Sequence, residues 1–556
     1  MGTPILSDPL ERFSDQSVLF GPKPTRIALQ SLQTKQVPAN RFRINVWRNH
    51  AFEPFVPLIE PFAGFGRWAA DFHIRGYDDS FSFVGHQEAD AELLWLDPGR
   101  LWADIDFEHW LSSRIVALRS LSSAPIVIAT WHSNVEVMAA LESLAQTVPA
   151  VYLADLASEA AAAQVPLLDE RSSTTAGTPL AGACHMFIAR KLACHWLAAA
   201  VLPPVKALAL DLDNTLHLGV LGEDGVEGVR VTPKHAALQQ YAAALSKRGV
   251  FIALISRNER EDVRELFERR QDYPLRWEDF SATEISWGDK ADAVARVADA
   301  LRIGHDAVLF VDDNIGELAS VALRAPAVHT LHANADPSLT LRAIEYYPGL
   351  WRWKIEAEDS KRVQDLRANA ERESLAKQVT DPADYFRSLQ VALQFRTDPA
   401  EQLSRLADLC KKTNQFNLAL RRLSEAEIAA RIADPQSCVA SVQMSDRLSD
   451  SGVIAVIVAE RTGSDLVVEE VCISCRAMGR NLESSIILGV IRVMPLFMGT
   501  HSVSFRVQHG PRNQPALEWL ASILGSQIAP VPGLHSMDSR LLSEFQPAAG
   551  VAIHIA

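Results

Sequence analysis

From residue 25 to about 160 the chain alternates short apolar runs, TRIALQSL, RINVWRN, AELLWLD, APIVIATW and AVYLADL, with stretches of helical length. Short apolar runs separated by helical lengths predict parallel strands joined by crossover helices. The segment LAGACHMFIARKLACHWLAAAV reads as a helix, and Pro203-Pro204 behind it stops helical structure at a domain boundary. Three further runs follow, VKALALD (205–211), VFIALIS (250–256) and AVLFVDD (307–313), each ending in polar residues. The carboxyl ends of such strands are where an open α/β sheet carries its chemistry. Between the first two of these runs, Thr232 is placed to cap a helix, Pro233 suits its first position and Gly249 its stop. After residue 350, WKIEAEDSKRVQDLRANAERESLAKQ is charge-dense and reads as a helical connector to the strand LQVALQFR. GVIAVIVAE and DLVVEEVCISC then flank RTGS as a hairpin, followed by RAMGRN, an apolar helix, the strand SVSFRVQ and a final helix around NQPALEWLASIL. The pattern predicts an α/β chain with domains at 1–200, 201–350 and 386–556, and a helical connector at 351–385.

A length of 556 residues fits three domains, and 48% hydrophobic with 22% charged residues is ordinary globular usage. A net charge of -14 repels phosphate backbones, so nucleic acid is not an expected partner. The most apolar window, 192–210, contains His195, Pro203, Pro204 and Lys206, which excludes a spanning helix there. Six cysteines in the whole chain and an acidic N-terminus without a targeting pattern suit a cytoplasmic protein.

The densest chemistry is Asp211-Leu212-Asp213-Asn214-Thr215, two carboxylates two residues apart just past an apolar strand. One carboxylate can attack phosphorus while the other delivers a proton to the leaving group, and a hard cation such as Mg²⁺ neutralises the pair. Asp211 is the expected nucleophile and Asp213 the acid/base. Ser256 ends the second strand with a hydroxyl, and Lys290 opens a helix behind Asp289, an ammonium beside a helix N-terminus. Asp312-Asp313 ends the third strand, a second carboxylate group for a cation held against Asp211.

This order of elements resembles the haloacid dehalogenase (HAD) superfamily. More narrowly, DLDNTLHLGVLGEDG, ISRNEREDV, SWGDKADAV, VDDNIGELASV, KKTNQFNLALRRLSEAEI and ISCRAMGRN resemble the FkbH-like family of polyketide biosynthesis. The resemblance implies a HAD Rossmann-like parallel sheet and a Mg²⁺-dependent enzyme working through an aspartyl-phosphate. Its substrate would be 1,3-bisphosphoglycerate, dephosphorylated and loaded as a glyceryl thioester on the phosphopantetheine arm of an acyl carrier protein. Asp211 and Asp213 would be catalytic; Thr215, Ser256 and Lys290 would hold phosphate; Asp211, Asp213 and Asp312 would hold the metal, with Asp313 supporting it indirectly.

Two positions depart from the family. His217-Leu218 stand where it usually reads Trp-Gly, and Ile255 stands where it usually has a cysteine. Isoleucine carries no acyl group, which leaves direct transfer, another cysteine, or a phosphatase without transfer. Cys475 is the expected substitute. His217 reads either as a substrate contact or as a partly exposed loop residue. The RAMGRN loop resembles the pyrophosphate loop of GNAT acetyltransferases and implies a GNAT-like α+β C-terminal domain in which Arg476, Gly479 and Arg480 receive the carrier's arm. The first domain resembles SGNH hydrolases, but Ser31 has no GDS context, so docking or support is expected there rather than hydrolysis. Basic residues at Lys23, Arg26, Lys35, Arg41, Arg43 and Arg48, and at Lys411, Lys412, Arg421 and Arg422, are candidate docking patches for an acidic carrier.

Overall fold

Ten strands of the N-terminal part form two five-stranded sheets, parallel throughout, the outcome expected of apolar runs buried on both faces. The computed structural model describes residues 9–21, 24–32, 40–77, 79–101, 105–354, 357–379 and 381–556. Residues up to 355 form one compact unit and those from 356 a second.

The first sheet, in the order β2-β1-β3-β4-β5, comprises β1 (Asn40–Arg48), β2 (Trp68–Ile74), β3 (Ala91–Trp95), β4 (Ile126–Thr130) and β5 (Val151–Asp155). The run TRIALQSL is not one of its strands. Residues Arg26–Ser31 are helical, because Thr25 caps them by accepting a hydrogen bond from the Ala28 amide at 3.1 Å. Ser31 accordingly ends a helix and donates to the Ala28 carbonyl rather than standing at a sheet edge. Lys23 and Lys35 lie outside the described residues.

The second sheet has the order β10-β9-β6-β7-β8, with β6 (Ala207–Leu210), β7 (Phe251–Ser256), β8 (Phe280–Ile285), β9 (Val308–Asp312) and β10 (His329–His332). The helix Pro233–Lys247 joins β6 to β7 as its sequence signals foretold, capped by Thr232. Chain order reverses between β6 and β9, so the carboxyl ends of these adjacent strands flank the crevice where such sheets bind ligands. Both sheets contribute to one hydrophobic core, together with the helix Gly182–Lys191 and the wide turn Leu192–Trp196. His195 lies in that turn between the rings of Tyr346 and Trp351.

The second unit carries a seven-stranded mixed sheet in the order β16-β15-β14-β13-β12-β11-β17. Its strands are β11 (Ala392–Thr397), β12 (Ser437–Ser445), β13 (Asp450–Thr462), β14 (Asp465–Ile473), β15 (Ser502–Val507), β16 (Gly533–Asp538) and β17 (Ala552–Ile555). β13 and β14 form the expected antiparallel hairpin, and β14 pairs with β15 in parallel through Val468↔Phe505. The charge-dense segment is helical over Ala357–Gln378, and it buries two charges, Asp365 and Arg372, against the sheet. No helix among the described residues is long and apolar enough to cross a membrane.

Candidate active site

Asp211 follows the last residue of β6, and its amide donates to the Val311 carbonyl at 2.9 Å, which seats it against the end of β9. Asp312 closes β9 and is fully buried, its Oδ1 accepting from the Asn314 amide. Lys290 begins the helix Lys290–Ala300, whose N-terminus is capped by Asp289. Its ammonium donates to Asp211 Oδ1 at 2.7 Å and to Asp312 Oδ2 at 2.6 Å. Three of the sequence-predicted residues, from three different elements, therefore meet at the switch point.

Oxygens of Asp211, Asp312 and Asp313 lie within 4.8 Å of one another. Burial first, then Asp312, then Asp313, drive the Asp211 carboxyl well above the usual carboxylate range, against the opposing pull of Lys290. Asp313 is likewise raised by burial and by Asp312. Lys290, although its burial favours the neutral amine, is held charged by Asp211 and Asp312. Fully ionised, three carboxylates against one ammonium leave two negative charges in a largely buried site, the charge a divalent cation cancels. The all-oxygen donor set suits a hard ion such as Mg²⁺.

Asp213, expected in that cation set, contributes no carboxylate oxygen to it. The i, i+2 alignment of a strand ends at Leu210, and the chain turns, with Asn214 in the left-handed region (φ 52°) and the Leu216 amide bonded to the Leu212 carbonyl. Asp213 faces a separate shell. Its Oδ1 accepts from the Leu221 amide at 2.9 Å and from His217 Nε2 at 3.2 Å, and its Oδ2 accepts from Asn258 Nδ2 at 2.7 Å. Burial opposes ionisation of Asp213, but these donors outweigh it and hold its pKa below the usual range. The two aspartates are thus driven in opposite directions by their surroundings.

Ser256 is buried at the end of β7, and its Oγ accepts from Asn258 Nδ2 at 2.9 Å. Asn258 thereby ties the expected phosphate-binding hydroxyl to Asp213. Thr215 is 2% exposed, and its Oγ1 has no hydrogen-bond partner among the described residues, a donor left over for a ligand. Ile255 is buried in β7. His217, read as a partly exposed residue or a substrate contact, is neither: it is fully buried and bonded at both ring nitrogens, to Asp213 and to the Tyr273 hydroxyl.

In the second unit the expected arm-binding residues are already engaged. Arg480 is ion-paired with Asp365 and Asp446, the same acids that hold Arg372, in a buried four-charge network. Gly479 has the positive φ of 74° that the loop needs, but its amide donates to Glu483, the first residue of the following helix. Arg476 is buried beside it. Where β14 and β15 part, residues 416–418 are inserted between them. Leu418 N bonds to Val471 O and Ile473 N to Phe416 O on one side; Gln508 N bonds to Leu418 O on the other. Asn513 adds a side-chain bond to Asn417 O at 2.9 Å. The TNQFN segment thus fills the opening between the strands. Glu470, buried next to it, accepts from the Arg421 and Ala419 amides, and burial pushes its pKa up to about 7. Cys475 is the one cysteine not buried. In the basic cluster around TNQFN, Arg421 pairs with Glu469, Lys412 with Asp408, and Arg422 bonds to the Lys411 and Thr413 carbonyls. In the first unit Arg41 pairs with Asp71 and Arg48 with Glu53.

Asn258 and Tyr273 went unrecognised in the sequence. Asn258 stands two residues after Ser256, a short-range signal within reach; Tyr273 lies 56 residues from the histidine it contacts and offered none.

No family model matches the chain, and no curated protein matches it. Among solved structures it is similar to the N-terminal part of a Bacteroides fragilis protein containing a phosphatase domain complexed with Mg. That likeness is at 19% identity over 59% of this chain and 98% of the other, with a TM-score of 0.47. A Corynebacterium glutamicum uncharacterized protein gives 15% identity, 26% and 95% coverage and a TM-score of 0.19. A GCN5-related glucosamine N-acetyltransferase region of a fungal multi-domain β-N-acetylglucosaminidase gives 10% identity, 93% and 67% coverage and a TM-score of 0.17.

Proposed function

We propose that the first unit is a Mg²⁺-dependent phosphatase that works through a phosphorylated Asp211. The observation that carries this reading is the Lys290 ammonium bonded to both Asp211 and Asp312 at the β6/β9 switch point, with Asp213 held apart in its own shell of donors. Asp211 attacks phosphorus, and a proton on Asp213 goes to the departing oxygen as the ester bond breaks. Asp213 then takes a proton from water, whose oxygen displaces Asp211 and releases phosphate. Lys290, Ser256 and the unpartnered Thr215 hydroxyl bind phosphoryl oxygens as charge builds on them. Mg²⁺, which would be held by Asp211, Asp312 and Asp313, supplies the positive charge that keeps Asp211 ionised.

For the substrate, the sequence resemblance supports 1,3-bisphosphoglycerate or a similar phosphorylated three-carbon acid, with the glyceryl group passed to an acyl carrier protein. Partly buried Cys475, the one cysteine with solvent access, lies within the family-like SCRAMGR string and favours this fuller reaction. Buried Ile255, the engaged Arg480 and the filled opening between β14 and β15 favour phosphate release without transfer. The test is intact-mass spectrometry of this chain and a holo carrier protein after incubation with Mg²⁺ and 1,3-bisphosphoglycerate, with free phosphate assayed in parallel. A glyceryl adduct on the carrier establishes transfer, phosphate alone limits the protein to hydrolysis, and no phosphate refutes both.

A further inference from the structure

Asp213 Oδ1 accepts two hydrogen bonds, and one comes from a histidine with no contact to solvent. On the far side of the ring, His217 Nδ1 lies 2.8 Å from the hydroxyl of Tyr273, itself 1% exposed. Burial drives the Tyr273 phenol upward, so it stays protonated and has a hydrogen to give. If Tyr273 donates to Nδ1, the neutral imidazole carries its own hydrogen on Nε2, aimed at Asp213. The backbone around the ring is fixed as well. Gln239, fully buried, donates to the Leu216 carbonyl at 2.7 Å and accepts from the Leu275 amide at 3.2 Å, fastening the histidine's segment to that of the tyrosine.

We propose that His217, set in its Nε2–H tautomer by Tyr273, is a positioning residue that locks Asp213 so that Oδ2 alone serves the phosphoryl site. This rests on the acid/base reading of Asp213 given above. With both lone pairs of Oδ1 taken by His217 and the Leu221 amide, the proton of the acid form has its place on Oδ2, beside Asn258, which also bonds Ser256 Oγ. One oxygen thus both gives the proton to the leaving group and later takes one from water. The Leu221 amide cannot enforce this alone, because it leaves a lone pair of Oδ1 open, and without His217 the acid's proton can settle on Oδ1, turned away from the leaving group.

The experiment compares full-length wild type, His217→Phe, His217→Gln and Tyr273→Phe on aryl phosphates of graded leaving-group acidity and on an alkyl phosphate, with Mg²⁺ present. A misplaced acid matters most where the leaving oxygen needs its proton. The expected result for His217→Phe is a loss in kcat/KM, which reports only the steps up to leaving-group departure, of roughly 10–100-fold on the alkyl ester and a small one on p-nitrophenyl phosphate. His217→Gln retains a donor and recovers most of the alkyl activity, while Tyr273→Phe shifts in the same direction by less. In ¹⁵N-histidine-labelled protein, NMR shows His217 as the Nε2–H tautomer, and Tyr273→Phe loses that signature with no substrate present. Equal kcat/KM losses on all substrates, or the Nδ1–H tautomer in wild type, overturn the proposal. Asp213→Asn is the control for the underlying reading: if it shows no dependence on the leaving group, the acid/base assignment fails; if it does and His217→Phe does not, only the positioning role fails.

Discussion

Asp211→Asn is expected to abolish turnover and, without a divalent ion, to make the protein more stable. The prediction follows from the charge balance at the switch point. At separations of up to 4.8 Å, each of Asp312 and Asp313 repels an ionised Asp211. With an effective dielectric of about 20 that is about 3–4 kcal/mol apiece. The Lys290 ammonium at 2.7 Å returns about 6 kcal/mol on the same scale, so Coulomb terms nearly cancel. What remains is the desolvation of a buried carboxylate, several kcal/mol, part of which protonation relieves. An amide avoids this cost while keeping the shape, so a gain of about 1–3 kcal/mol is expected, a rise of a few degrees in melting temperature. The pH dependence has a definite sign. A carboxyl whose folded pKa is raised binds more protons folded than unfolded, so wild-type stability without metal falls as pH climbs from the ordinary carboxylate range toward the raised value. That slope should be smaller in Asp211→Asn. The assay is thermal unfolding of both proteins across pH in EDTA and again in Mg²⁺. Mg²⁺ should stabilise wild type strongly and the variant little. A variant that is less stable than wild type in EDTA, with the Mg²⁺ shift intact, refutes the charge argument.

Glu470→Gln should change the pH profile of the second unit. With the Glu470 pKa raised from 4.5 to about 7, wild-type stability falls by about 3 kcal/mol between about pH 4.5 and 7 and levels off above, and urea unfolding at about pH 5 and 8 should show that the glutamine variant lacks this component. Arg480→Ala leaves Asp365 and Asp446 sharing Arg372 alone, and should cost the second unit about 3 kcal/mol or more in denaturant unfolding while phosphate release by the full-length chain persists. Brief iodoacetamide treatment of the native protein, read by peptide mass spectrometry, should label Cys475 and spare the five buried cysteines; rapid labelling of Cys410 or Cys472 would contradict the packing of their shared core.

The parts of the site legible in the sequence are those encoded locally. DLDNT, the Asp289 cap ahead of Lys290 and the Asp312-Asp313 pair each announce themselves within a few residues, and an apolar strand before each carboxylate fixes the edge on which it emerges. The hidden parts depend on distant partners. TRIALQSL reads as a short apolar run like the strands after it, yet it is a helix capped by the threonine hydroxyl at its start. His217 reads as a loop residue because nothing near it in sequence shows that Tyr273 closes over it. Arg480 sits in a motif that suggests anion binding, but its acids come from residues 34 and 115 positions away. Charges in a charge-dense helix look solvated until the fold shows Asp365 and Arg372 facing inward.

The insertion of residues 416–418 between β14 and β15 bears on how the second unit is made. The segment precedes both strands in the chain, yet it bonds to Val471 and Ile473 on one side and to Gln508 and Asn513 on the other. Its place exists only once pieces spread over nearly a hundred residues have come together. Non-local pairing of this kind is slow, because each loop must close before the contacts reward it. The sheet should therefore be completed late, with the hairpin β13–β14 formed first and the inserted segment last. A chain ended before Gln508 would leave that segment bonded on one side only, its apolar residues waiting beside an open strand edge.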